Sequence, residues 1–478
     1  MVTTLAIGGG AVGTLRARAD RRSSPEHTVR SVGTSCTRRT LLKAAGGAAL
    51  GMLATGAAPG LLGSGRAASA QIKGTTLSIL EATYFIPDAQ DLFKKQAQEF
   101  GQANGVTVNT DFLNWPDLQP KISAAIQAGG YDIVELWPGW NYLYADNLVD
   151  VTDLAESYAK REGGFEPFAA TDARVGTRYL GIPHGQSNDA LNYRTSWLKQ
   201  AGANVPDPAE QARTGKFLDM TWDEFFAIGK KLKAMGHPLG QALGHSQGDP
   251  PSFVYPYMWS NGAMEVEKDG KTVAFNKPQF VDAMKKFVQA YKDGFDETGP
   301  SWDDSSNNKA FLAGQISATL NGSSIYAAAL KDYPDIAKDM NHTLIPRGPT
   351  GRYALIGTRT LAILKNSKNV AGAKEFLSWW FQEKQFGDWL HIQKGYQLPP
   401  TKKWAQDPMW GDDPVMYAFS QEARYGRDQG WAGPPNAKSG LAFSKYLIVD
   451  TFAKAVQSGD AAGAIKAGAD QLQAIYGS

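Results

Sequence analysis

The chain has 478 residues, 42% of them hydrophobic and 20% charged, which places it among globular rather than disordered proteins and is long enough for two or three domains. The formal net charge of +2 hides an asymmetry: nine of the 49 basic but only two of the 47 acidic residues fall in the first 70 positions. The remaining body carries 40 basic and 45 acidic residues with no basic run, which argues against nucleic acid and against an anionic membrane surface as partners.

The leader is informative. Arg38-Arg39 stands in a twin-arginine pattern, followed by an Ala/Gly/Leu run from Ala44 to Leu62 and by Ala68-Ser69-Ala70, small residues spaced as at a signal-peptidase site. Residues 1–70 are therefore expected to be a cleaved twin-arginine signal peptide, and the body a periplasmic protein. The run is too weakly apolar for a good membrane anchor, and no other stretch of about 18 apolar residues follows. The only cysteine, Cys36, lies before that run, so disulfides and thiol chemistry are excluded from the body.

Beyond the leader, Thr76–Leu80 reads as a strand, a helix starts near Asp88 with Leu92, Phe93, Ala97 and Phe100 on one face, and Val106–Val108 reads as a second strand. A helix over Leu118–Ala128 and a strand at Tyr131–Val134 complete an alternation that predicts βαβ units and a mainly parallel sheet, an α/β fold. After Gly181 helices dominate. Thr221-Trp222-Asp223-Glu224 is a capping box opening Thr221–Met235, and Pro278–Lys292 carries apolar residues at helical spacing. Strands are expected again at Ile316–Leu320, Thr343–Ile345 and Thr360–Leu364, then helices at Val370–Trp389, Phe443–Val456 and Ala461–Ala474.

Several stretches, in order, carry a resemblance: Gly130–Val134, Leu180–Pro183 with Leu191–Tyr193, Ala310–Gly322, and Gly395–Pro400. Over 74–478 the chain resembles the extracellular solute-binding proteins of carbohydrate ABC importers, the maltose-binding-protein-like group. The resemblance implies a two-lobed periplasmic-binding-protein fold with discontinuous lobes and an interlobe hinge. The expected lobes are 71–184 with 315–358 (N-terminal) and 185–314 with 359–478 (C-terminal). Crossings are expected near Gly181, Gly314 and Gly357, which could equally be ordinary turn glycines. The implied function is capture of a di- or oligosaccharide or sugar alcohol in the periplasm by a monomer, and delivery to the permease subunits of an ABC importer, with no cofactor.

A sugar offers flat C–H faces to aromatic rings and hydroxyls to polar side chains. Tyr84, Trp115 and Trp137 follow the first three strands, and Asn188 and Asp189 follow the first crossing. These, with Trp259, Ser323, Trp302, Asp303 and Trp431, are the candidate ligand residues; for Trp259 a core position competes, and for Asp189 a turn or cap. Arg359 stands where many relatives place an aromatic residue, which leaves open a sugar acid or a glycerol phosphate ester as ligand. It also weighs against a polyamine. Enzyme chemistry is the remote alternative: neighbouring acidic pairs diverge in direction, and neither a nucleophile elbow nor a zinc-protease motif occurs, so no catalytic or metal residue is assigned.

Overall fold

A computed structural model describes residues 72–477; the twin-arginine segment, Cys36 and the expected cleavage site lie outside the described residues. The chain opens with β1 (Thr76–Ala82), α1 (Pro87–Asn104), β2 (Thr107–Leu113), α2 (Trp115–Ala128) and β3 (Ile133–Leu136). Proline sits in the first turn of α1, where its missing N–H costs nothing, and Gly105 ends the helix at φ 67°, its N–H donating to the Gly101 carbonyl. β1 runs parallel to both β2 and β3.

β4 (Ile182–Ser187) and β5 (Ala190–Arg194) are separated by two residues yet belong to different sheets. Then come α3 (Trp222–Ala234), α4 (Asp249–Ser260), α5 (Pro278–Gly294), β6 (Ala318–Asn321) and β7 (Met340–Thr343). The Thr221 hydroxyl accepts from the Glu224 N–H, and the Glu224 carboxylate accepts from the Thr221 N–H, so the capping box forms as expected. β8 (Arg359–Ile363), α6 (Val370–Trp380), α7 (Glu383–Ile392), β9 (Gln397–Leu398), α8 (Ala437–Ser444), α9 (Leu447–Ser458) and α10 (Ala461–Tyr476) complete the main elements.

The first lobe is built on a six-stranded sheet of order β9-β4-β8-β3-β1-β2, and the second on an antiparallel sheet of order β6-β5-β7. This exchanges two segments relative to the expected lobes. β6 and β7, within 315–358, pair with β5 of the second lobe; Leu320 faces Leu191 and Asn341 faces Tyr193. β8, at the start of 359–478, inserts between β3 and β4, with Ile363 opposite Ile133. Its five residues are all buried, as an interior strand covered on both faces requires.

Two of the three expected crossings also move. Gly181 lies within the first lobe, where a Cβ would come 2.6 Å from Thr360 Oγ1; Gly314 is a turn in the second lobe at φ 71°. Gly357 does lie between the lobes, just before β8, where a Cβ would meet Asp172 Oδ2 at 2.5 Å and Pro138 at 2.6 Å.

Each lobe has an aromatic core. Phe93 packs edge-on against Trp380 and Phe376 in the first lobe, joining α1 to α6. Trp222, Tyr257, Phe287 and Phe452 do the same across α3, α4, α5 and α9 in the second. Among the described residues no helix is long and apolar enough to cross a membrane.

Candidate functional site

Between the lobes lies a narrow cleft, lined by residues of both. One wall comes from the turns that follow the three parallel strands of the first lobe: Phe85 after β1, Trp115 after β2, and Trp137 with Pro138 after β3. The carboxyl ends of parallel strands are where an α/β sheet leaves room for ligand. The rings brace one another: Phe85 and Trp115 meet edge to face at 4.8 Å, Trp115 and Trp137 at 4.6 Å. Trp115 is pinned further by its Nε1–H, which donates to the Thr83 carbonyl at 2.8 Å.

Behind this wall a charge network is sealed from water. Arg359 is 2% exposed, its Nη1 donates to Glu135 Oε1 at 3.2 Å, and its guanidinium stands 5.5 Å from the Trp137 ring and 6.0 Å from Trp115. Glu135 also accepts from the Ala82 N–H, and Glu81 accepts from the Tyr84 hydroxyl. Burial raises both carboxyls above their usual range, Glu81 further through its neighbour Glu135. Oxygen and nitrogen atoms of Glu81, Glu135 and His184 come within 4.8 Å of one another, close enough in distance for a metal ion. The fixed guanidinium against Glu135 opposes a second cation there, so the cluster fits a neutralised structural network better than a metal centre.

The facing wall belongs to the second lobe. Asp189, between β4 and β5, is joined by Gln247, Gly248 and Asp249 at the start of α4, by Ser252 one turn on, and by Asn321 at the end of β6 with Gly322 after it. Gly248 has no room for a side chain, since a Cβ would lie 2.5 Å from the Trp115 ring of the opposite lobe. Asp304 stands behind this wall, accepting from the Asp249 N–H at 2.8 Å and from the Ser246 hydroxyl. Burial pushes Asp304 up to about 6 and Asp189 up to about 7. Asp249 is raised well above the carboxylate range by burial and by Asp304 and Asp189. Tyr396, Gln429 and Phe443 close the remaining sides.

Residues 95–418 match the family model described as bacterial extracellular solute-binding protein. The chain belongs to that family. Among curated proteins, a lactose-binding protein of Rhizobium radiobacter is 23% identical over 268 residues, covering 56% of this chain and 55% of the relative, so the match spans about half of each protein. Among solved structures, maltose-bound MalE3 of T. maritima is 20% identical, with a TM-score of 0.69 over 84% of this chain and 100% of that one. An ABC transporter solute-binding protein of Thermotoga lettingae bound to α-D-tagatose is 16% identical with a TM-score of 0.71, over 84% and 100%. The GacH receptor of Streptomyces glaucescens is 18% identical with a TM-score of 0.66, over 84% and 98%. These likenesses establish the two-lobed α/β fold.

Of the expected ligand residues of this solute-binding protein, Trp115, Trp137 and Asp189 line the cavity together. Tyr84 does not: its ring packs against Phe93, Phe112 and Trp389. Arg359 is spent on Glu135 and the backs of the tryptophans, which removes the reason for expecting an acidic ligand. Asn188 is buried beside the hinge, its Nδ2 3.4 Å from the Phe419 carbonyl. Trp259 is a core residue at 1% exposure, edge-on to Tyr255 and Trp431, and Trp431 rests against it and Tyr353 instead of the cavity. Ser323 faces a separate outer hollow with Tyr326 and Trp410. Trp302 donates to Thr298 Oγ1, and exposed Asp303 accepts from the Ser305 N–H and hydroxyl at the rim of another hollow, near Trp115.

The reading missed Gln247, Asp249, Ser252, Asn321, Tyr396 and Gln429. Two signals were available. Asn321 and Tyr396 fall inside stretches that carry the family resemblance, and Gly248-Asp249-Pro250 marks a helix start.

Proposed function

We propose that this protein captures a carbohydrate outside the cytoplasm and delivers it to the permease of an ABC importer. The observation that carries the reading is the pairing of an aromatic wall on one lobe with a hydrogen-bonding wall on the other. Trp115, Trp137 and Phe85 offer faces for the C–H surfaces of a sugar ring. Asp189, Asp249, Gln247, Ser252 and Asn321 offer groups for its hydroxyls. A ligand touching both walls favours the closed arrangement through contacts the open one lacks. The lactose, maltose and tagatose in the names of similar proteins agree with a mono- to oligosaccharide.

The family supports export, and Arg38-Arg39 with the Ala68-Ser69-Ala70 site supports the twin-arginine route to the periplasm. The protein acts as a monomer and as a carrier, not an enzyme. Both cavity carboxylates come from the same wall, whereas glycoside hydrolysis needs two that flank the scissile bond.

A thermal-shift screen of the purified protein against mono-, di- and oligosaccharides, polyols and sugar acids tests the reading. Saturation at about 100 times Kd stabilises a receptor by roughly 2.7 kcal/mol, a readable rise in Tm. Failure of every carbohydrate to raise Tm would refute it.

A further inference from the structure

We infer that the transported carbohydrate carries a positively charged amino group, seated against the Asp189–Asp249 wall of the cavity. The inference rests on the sugar-binding reading above and names the substrate class within it. Among the described residues that line the cavity, two are carboxylates and none is Lys, Arg or His. The guanidinium closest to the aromatic wall, Arg359, lies behind the tryptophan rings and is neutralised by Glu135. The cavity therefore has an uncompensated acidic side.

Asp249 is the most telling member. It is 6% exposed and faces the cavity, and its Oδ2 finds no hydrogen-bond partner although the Asn307 amide approaches the group. The α4 N-terminus offsets part of its charge, about half an elementary charge by the usual reckoning. Asp304, immediately behind, adds a further negative group whose oxygens are already taken by Ser246 and the Asp249 N–H.

A neutral hydroxyl could donate to these carboxylates, but it brings no charge to set against them. Burying like charges together without a counter-charge is costly, and the groups hold protons instead. An ammonium supplies both the donors and the charge, and the opposed tryptophan faces attract the same cation. An acidic sugar or a phosphate ester would meet repulsion at this wall.

Calorimetric titration of the purified protein at pH 7 with matched ligand pairs tests this. Glucosamine against glucose, galactosamine against galactose, and the β-1,4 glucosamine dimer against cellobiose differ only in the C2 substituent. The amino member of at least one pair should bind about tenfold or more tighter, the scale of a charge-assisted hydrogen bond. Asp249→Asn and Asp189→Asn should erase that preference. Neutral members binding as tightly or more tightly in every pair would overturn the amino-group inference and leave the carbohydrate reading standing. No binding by any saccharide would sink both. The pair comparison needs no variant, so poor folding of either Asn substitution does not rescue the idea.

Discussion

Replacing Arg359 by methionine removes a guanidinium whose Nη1 lies 3.2 Å from Glu135 Oε1, with the two side chains 3% and 0% exposed. Methionine fills similar volume, so the change isolates charge from packing. Breaking such a pair from one side strands a buried carboxylate beside a second one, Glu81, at a cost of about 3–5 kcal/mol. With an unfolding entropy of roughly 2.1 cal/mol/K per residue over some 400 residues, the melting temperature should fall by about 5 °C. Glu135 has its folded-state pKa raised by burial, with Arg359 pulling it back down. Loss of the arginine raises it further. A carboxyl raised on folding stabilises below its unfolded pKa and loses that contribution as pH rises. The deficit of Arg359→Met should therefore widen from pH 5 to pH 8. Calorimetry of the wild type, Arg359→Met, Glu135→Gln and the double variant separates the terms, and the double variant should recover most of the loss. A single-variant cost under about 1 kcal/mol, or a double variant no better than the single, would refute the buried-pair account.

Trp137→Ala should weaken ligand binding by at least about 1 kcal/mol, and because the ring is also buried against Trp115 and Trp140 it should lower Tm as well. Trp259→Ala should cost about 3–5 kcal/mol of stability with affinity kept; a loss of affinity in Trp259→Ala, or unchanged affinity in Trp137→Ala, would undo the assignment of one to cavity and the other to core. Gly357→Ala drives a Cβ against Asp172 and Pro138 at the interlobe crossing and should cost about 1–3 kcal/mol, read as a lower urea midpoint. A wild-type midpoint would mean that the crossing has room to spare. Burial pushes Asp189 and Glu265 up to about 7 and Glu422 up to about 8, all above their unfolded values. Their contribution is complete below about pH 4 and lost as pH climbs through 7 to 8, so Tm of the ligand-free protein should fall between pH 5 and pH 8. A Tm that rises over that interval contradicts it.

Local order was the legible part of this sequence. The first three strands and two helices fall within a few residues of where periodicity and Gly/Pro punctuation put them, and the Thr221 capping box is a purely local device. Sheet membership was not legible, because an apolar strand such as Arg359–Ile363 fits any covered interior position, and only its long-range pairing with Ile133–Leu136 decides the lobe. The aromatic wall was found by position after strands, since a turn residue owes nothing to a core stripe. That rule failed for Trp259, which lies on a helix buried all round and thus without a polar face to orient it. Asp249 showed in the sequence only as part of a helix start: its setting is made by Asp304, 55 residues on, and by Asp189 on the same wall, 60 residues before it.

The strand order has a consequence for how the protein is made. The first sheet needs β8 and β9, so residues 359–363 and 397–398 must leave the ribosome before β4 has both its neighbours. The second lobe likewise recruits α8, α9 and α10 from the last 42 residues, which bury Phe443, Phe452 and Ile465 in its core. Neither lobe can finish before these late segments have emerged, so both complete nearly together. A nascent chain stalled at 350 residues would display unpaired strand edges and open apolar faces. Until those late segments arrive, the exposed edges and apolar faces are open to misassociation.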